Sequence, residues 1–134
     1  MPKLETIEGI GEIYASQLRE AGIGTVEALL AAGATPEGRE EIQEATGIGD
    51  EFILDWVNRA DLVRIRGVGE EYSDLLERAG VDTVVELAQR NPEHLHQALL
   101  TVNGEEDLVR RPPGQALVQD WVRQAKSLPR GVFY

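Results

Sequence analysis

Ile7-Glu8-Gly9-Ile10-Gly11-Glu12-Ile13-Tyr14-Ala15-Ser16-Gln17-Leu18-Arg19-Glu20-Ala21-Gly22-Ile23 returns 58 residues later as Ile65-Arg66-Gly67-Val68-Gly69-Glu70-Glu71-Tyr72-Ser73-Asp74-Leu75-Leu76-Glu77-Arg78-Ala79-Gly80-Val81. Continued to residue 30 over residue 88, the superposition pairs 24 positions, and 11 are identical. Both glycines of each G-h-G turn are among them, with Tyr14/Tyr72, Ala21/Ala79 and Gly22/Gly80. A match this dense is an internal duplication, which sets the architecture before any single element does. Downstream the repeat resumes with gaps. Thr35-Pro36-Glu37 corresponds to Asn91-Pro92-Glu93: an N-cap side chain, a proline at the first helical position and an acid in the first turn. Asp55-Trp56-Val57 corresponds to Asp120-Trp121-Val122 at an offset of 65, so the second copy carries a net insertion of seven residues, around 103–114. The copies are therefore 1–62 and 63–134, the second with that insertion and a C-terminal tail.

The local pattern predicts helices throughout. Ile13, Leu18, Leu29 and Leu30 fit one apolar helical face, as do Ile42, Ile53, Leu54 and Val57. Thr83-x-x-Glu86 is a capping-box pattern, with Thr25 at the equivalent position. Gly22 and Gly80 stand where a left-handed C-cap follows a helix. No stretch alternates polar and apolar residues long enough for a strand. The expected fold class is all-α, with about five short helices per copy joined by short turns. At the first turn Gly9 accepts positive φ without steric cost, Ile10 points inward as a plug, and Gly11 leads into a helix whose first amides have no intrahelical acceptor. Those amides and the helix dipole attract anions. A further hairpin, Thr46-Gly47-Ile48-Gly49-Asp50, lies between segments carrying Ile42 and Phe52.

Composition narrows the class. Hydrophobic residues make up 42% and charged residues 28%, which is globular rather than disordered. No apolar run approaches about 18 residues, so no membrane span is expected. Met1-Pro2-Lys3-Leu4-Glu5 lacks the basic and then apolar pattern of a secretory signal. The absence of cysteine removes disulfides, thiolate metal sites and cysteine nucleophiles, and a cytoplasmic location is expected. The net charge of −11, from 24 acidic and 13 basic residues, repels a polyanion overall. Residues 1–62 hold 4 basic and 13 acidic residues and 63–134 hold 9 and 11, so a polyanion contact belongs in the second copy. Only Lys3 and Lys126 are lysines among the basic residues. A salt-adapted proteome would also give an acid-rich, lysine-poor surface, and the charge would then say little about partners.

Ile7-x-Gly9-Ile10-Gly11-x-x-x-Ala15-x-x-Leu18-x-x-x-Gly22-Ile23 resembles the helix-hairpin-helix motif at every defining position, and 65–81 matches it with Ser73 at the small-residue position. Two such motifs about a pseudo-two-fold make the usual domain of that family. The resemblance therefore implies tandem duplicated helix-hairpin-helix domains. Copy one would be a complete double unit, and copy two would have its second hairpin opened by the insertion after Asn103-Gly104. In that family the hairpin amides hold a DNA phosphate oxygen, often with a bound monovalent cation; no other cofactor is implied. The whole chain is also similar to a bacterial family of stand-alone tandem helix-hairpin-helix proteins with no established activity. The segments that carry this are Gly33-Ala34-Thr35-Pro36-Glu37-Gly38-Arg39, Asp55-Trp56-Val57-Asn58-Arg59-Ala60-Asp61-Leu62, 65–72 and Leu128-Pro129-Arg130-Gly131-Val132-Phe133-Tyr134.

Arg64 and Arg66 precede Gly67-Val68-Gly69, with Arg59 about a turn upstream. Two guanidinium groups beside free helix amides clamp a phosphate; the competing reading pairs them with Glu70, Glu71 or acids of copy one. Arg110-Arg111-Pro112-Pro113 either extends the site or is a solvated connection. Gly9, Gly11, Gly47 and Gly49 are secondary candidates, because Glu12 and Asp50-Glu51 already satisfy the helix dipole and repel phosphate. Trp56 and Trp121 read as core, Asp55 and Asp120 as local caps or pairs, and Phe133 and Tyr134 as docked on the chain or marking an oligomer contact. His94 and His96 are two apart on a helix and cannot chelate one metal. No nucleophile–base set is present, and the glycine turns lack the strand and third glycine of a dinucleotide fold. Helix-hairpin-helix glycosylases need a catalytic Asp after a Lys-bearing hairpin, which this sequence lacks. The expectation is no catalytic residue, no metal, no small-molecule substrate and no membrane. The expected function is non-sequence-specific binding of a nucleic-acid backbone, DNA before RNA, at Arg64, Arg66, Gly67, Val68, Gly69, Arg110 and Arg111. The alternatives are an interaction module whose acidic first half docks a basic protein partner, and self-association through the aromatic tail.

Overall fold

The computed structural model describes residues 3–134, and among them all regular structure is helical. The chain up to Asp61 clusters with Gly131–Tyr134 into one compact unit, and Leu62–Arg130 forms a second. The first begins with a 3-10 turn, Leu4–Thr6, followed by α1 (Glu12–Glu20), α2 (Val26–Gly33), α3 (Pro36–Thr46) and α4 (Asp50–Leu62). The second contains α5 (Glu70–Arg78), α6 (Val84–Ala88), α7 (Pro92–Glu106) and α8 (Gln115–Ser127). Four α-helices thus stand where about five per copy were expected. The missing one would precede the Gly9 and Gly67 turns. Among the described residues ahead of Gly9 there is only a three-residue 3-10 turn, and ahead of Gly67 the chain leaves α4 at Leu62 directly into turns.

The helix starts follow from their capping residues. Thr25 Oγ1 accepts from the Ala28 amide and Thr35 Oγ1 from the Gly38 amide, each at 3.1 Å. Thr83 Oγ1 accepts from Glu86 at 3.3 Å, and Asn91 Oδ1 from His94 at 3.0 Å. Such caps contribute about 1 kcal/mol each. Proline opens α3 and α7. Helices α1 and α5 close alike: the Ile23 amide reaches Leu18 O and the Val81 amide reaches Leu76 O, both at 2.9 Å, across Gly22 and Gly80 at φ +89° and +93°.

Each unit has its own core, with Leu18, Leu29, Ile53 and Trp56 fully buried in the first and Leu75, Leu76, Leu87 and Trp121 in the second. Ile10, Ile48 and Val68 are buried as hairpin plugs. Ile13 departs from expectation: it is 76% exposed. The buried side of α1 is set by Ala15 and Leu18. At 3.6 residues per turn Ile13 lies roughly 160° and 140° around the helix from them.

The C-terminal tail also departs from expectation, since it packs on the first unit rather than with the second copy. The Phe133 amide donates to Ala34 O at 2.8 Å, and Val132 is buried. Arg39, itself only 6% exposed, donates to Gly33 O and Phe133 O at 2.8 Å each, with its guanidinium 6.0 Å from the Tyr134 ring centroid. The Tyr134 hydroxyl donates to Asn58 Oδ1 at 3.2 Å. Of the two readings of Phe133 and Tyr134, docking on the chain's own surface is the one observed.

Gly9 and Gly67 have φ of +96° and +94°, and a Cβ on either would lie 3.1 Å from an indole Nε1, that of Trp56 or Trp121 respectively. Gly67→Ala is therefore expected to cost about 2 kcal/mol, from the left-handed backbone and the displaced indole. Gly69→Ala, at φ −104° with open space at its Cβ position, should cost less than about 1 kcal/mol. Urea denaturation of both variants checks the contrast; equal losses would refute the steric account.

Candidate nucleic-acid interface

The second-unit hairpin is built from main chain. The Val68 amide donates to Ile65 O at 3.1 Å, closing the turn around Gly67, and Gly69 is the N-cap of α5. No side chain caps that helix start, unlike those of α2, α3, α6 and α7. Gly67 and Gly69 are exposed, whereas Val68 is buried and offers only its backbone.

Arg66 is held through its peptide groups. Its N–H donates to Gln124 Oε1 at 2.8 Å, and Gln124 Nε2 donates back to Arg66 O at 3.1 Å and to Asp120 Oδ2 at 2.8 Å. Its exposed guanidinium makes no hydrogen bond or ion pair among the described residues. With Arg123, Gln124, Ser127 and Leu128 it lines one surface pocket. Arg123, with its side chain 77% exposed, donates to Asp120. That bond above all, then the Gln124 bond, holds the Asp120 carboxyl below the usual range; desolvation opposes the shift, and the Arg123 and Arg66 charges add to it.

Arg64 and Arg59 are directed elsewhere. Arg64 Nη2 donates to Pro129 O at 2.8 Å and so secures the segment after α8. Arg59 is buried, with its Nε 3.2 Å from Asp55 Oδ2.

The inserted loop is organised. Asn103 bonds both peptide groups of Val109, accepting from its N–H at 2.9 Å and donating to its carbonyl at 3.1 Å, and Val109 is buried. The Tyr72 hydroxyl donates to Arg111 O at 2.9 Å, which ties the loop to the first turn of α5. A Cβ on Gly67 would lie 3.6 Å from Leu117 Cδ1, so the hairpin also abuts the first turn of α8. Arg110 and Arg111 are exposed, and their guanidiniums have no partner among the described residues. The structure thus gathers Gly67, Val68, Gly69 and Arg111 around the start of α5. It sets Arg66 beside Arg123 along α8, and it assigns Arg64 to Pro129.

The first-unit hairpins are lined by acids. Glu8 and Glu12 flank Gly9 and Gly11 and are exposed. At Gly47 and Gly49, Glu51 Oε1 lies 3.1 Å from the Cβ position of Gly49, placing a carboxylate over the start of its own helix. His94 is exposed and His96 half-buried on α7. No cluster of three or more His, Cys, Asp or Glu suited to a metal occurs among the described residues. Likewise no described helix is long and apolar enough to cross a membrane. Sequence reasoning missed Arg123 and Gln124. Their spacing from Asp120, i+3 and i+4, marks a local helical cluster, but nothing in the sequence joins it to Arg66.

Fold and surface define an all-α protein in two helical units, with arginines gathered near a helix start in the second. The chain belongs to the family described as domain of unknown function DUF4332, whose model matches residues 8–128. No curated protein and no solved structure matches it.

A carboxyl whose folded pKa is depressed contributes stability above its unfolded pKa, and that contribution is lost as pH falls through the folded value. The Asp120 titration followed by NMR should therefore have its midpoint below the ordinary 3.8, and Arg123→Ala should move it upward. A midpoint at or above 3.8 would show that the Arg123–Asp120–Gln124 cluster does not form in solution.

Proposed function

We propose that the chain is a non-catalytic binder of nucleic-acid backbone, built as tandem helix-hairpin-helix domains, with the second unit making the contact. The helix-hairpin-helix reading is supported by the matched positive-φ glycines and the buried plugs Ile10, Ile48 and Val68. The binding reading rests on one observation. Arg66 has its main chain fixed to Gln124 and its guanidinium exposed without a partner among the described residues, three residues ahead of the α5 N-cap. A guanidinium anchored in this way forfeits little backbone freedom when it grips a phosphate bidentately.

Arg111, whose carbonyl is bonded to Tyr72 in the first turn of α5, and its neighbour Arg110 add two more exposed cations without a partner among the described residues. Arg123 is shared with Asp120, and Arg64 is a supporting residue. Contacts of this kind read phosphate, not base edges, so binding is non-sequence-specific. Duplex DNA is the first expected ligand, and RNA presents the same phosphate chemistry. A monovalent cation at the hairpin is compatible with the reading and is not needed by it.

Fluorescence anisotropy with labelled duplex and single-stranded oligonucleotides tests this. Expected are micromolar binding near 50 mM KCl and a loss of about 40-fold by 200 mM for roughly three phosphates contacted. Arg66→Glu should weaken binding at least about tenfold, and Arg66→Glu/Arg111→Glu should abolish it. Absence of binding to either strand form at low salt would refute the proposal.

A further inference from the structure

We infer that the first unit carries a docking face for a cationic segment of a partner protein that inserts an aliphatic or aromatic side chain between the first turns of α1 and α4. Ile13 is 76% exposed and Phe52 47%. Phe52 is not a loose surface ring: its centroid lies 6.2 Å from Trp56 and 6.2 Å from Tyr14, and Tyr14 lies 5.0 Å from Trp56. Trp56 is 1% exposed, so the outer aromatic rests on a fixed base. A rigid apolar platform of this kind loses little side-chain entropy when covered.

The sequence repeat shows that the fold does not require it. The position matched to Ile13 is Glu71, and at the Asp-Trp-Val offset Phe52 corresponds to Leu117. Ile13 adjoins Tyr14, whose ring lies 6.2 Å from that of Phe52, and an exposed isoleucine in a turn that meets an anchored phenylalanine is therefore particular to the first unit.

Charge selects the occupant. Glu12, Asp50 and Glu51 are exposed in the same two helical turns, and Glu8 is exposed on the hairpin. Few cations in this unit offset them. Arg39 and Arg59 are buried, and Arg19 is paired with Glu5 at 2.9 Å. An apolar centre with an acidic rim fits a basic partner carrying an apolar anchor. It repels nucleic acid. A second copy docked face to face would bring the two acidic rims together.

The test uses the full chain and two labelled probes: an amphipathic helical peptide of leucine and lysine, and a peptide of equal charge with serine replacing leucine. The leucine peptide should bind at least about tenfold tighter. Ile13→Glu separates packing from charge. The residue is largely exposed, so the variant folds, and its extra carboxylate tightens the serine peptide while the lost anchor weakens the leucine peptide. Ile13→Glu/Phe52→Ser should bring the two peptides to parity. Equal affinities in the wild type, or Ile13→Glu tightening both peptides, would overturn the inference. So would self-association in sedimentation that Ile13→Glu abolishes, since the occupant would then be a second copy.

Discussion

In both units a glycine with positive φ is pressed against the indole nitrogen of a buried tryptophan, Gly9 on Trp56 and Gly67 on Trp121. A Cβ there would lie only 3.1 Å from the indole, on a backbone that L side chains rarely adopt, and the rest of each hairpin is arranged around this contact. With the main chain seated there, the next residue, Ile10 or Val68, faces inward and is buried. The second glycine can then only start a helix, and that helix delivers a tyrosine against the same tryptophan, at 5.0 Å and 58° in one unit and 5.2 Å and 57° in the other. In the second unit the same seating lays the residue before Gly67 along α8, where Gln124 captures both peptide groups of Arg66. The exposed guanidinium is a by-product of a packing constraint.

The buried set is nearly constant between the copies, and the exterior is free to change. Glu8 stands where Arg66 does and Glu20 where Arg78 does, all four of them exposed. The result is 4 basic against 13 acidic residues in 1–62, and 9 against 11 in 63–134. Adaptation of a whole proteome to salt would acidify both copies alike. An uneven charge between the two halves is what the two proposed ligands, one anionic and one cationic, would require. In the first unit the same freedom leaves Ile13 exposed on an acidic rim.

What the sequence reveals and conceals divides along a physical line. Features that depend on a residue's own conformational preference are legible: the positive-φ glycines, the Thr25, Thr35, Thr83 and Asn91 caps, and the tryptophans too large to leave in water. Features that depend on a distant main-chain group are not. Arg39 bridges the carbonyls of Gly33 and Phe133, Arg64 binds the carbonyl of Pro129, and Gln124 binds the peptide groups of Arg66. A carbonyl is offered by every residue, so no pattern in the chain singles out the partner. The helix expected ahead of Gly9 is replaced, among the described residues, by the 3-10 turn Leu4–Thr6. The outward turn of Ile13 follows from phase, because once Ile10 is the plug, α1 needs only Ala15 and Leu18 on its buried side.

The acidity of the whole chain bears on rate more than on the contact itself. At physiological ionic strength the screening length is about 8 Å, so a phosphate at Arg66 responds to the groups around it rather than to a net charge of −11. Those groups include Arg123 and Asp120, which are already paired to each other, and Glu70 and Glu71 at the start of α5. The local balance is therefore set by a few side chains, with Arg66, Arg110 and Arg111 in favour and the two glutamates against. The global field acts earlier, on the approach, where a repelled polyanion associates more slowly than its final contacts would allow. A cationic protein segment meets the opposite field. If the two proposed surfaces bind as described, the same charge distribution that slows a nucleic acid would speed a basic partner, and selectivity would lie in kinetics as well as in contact.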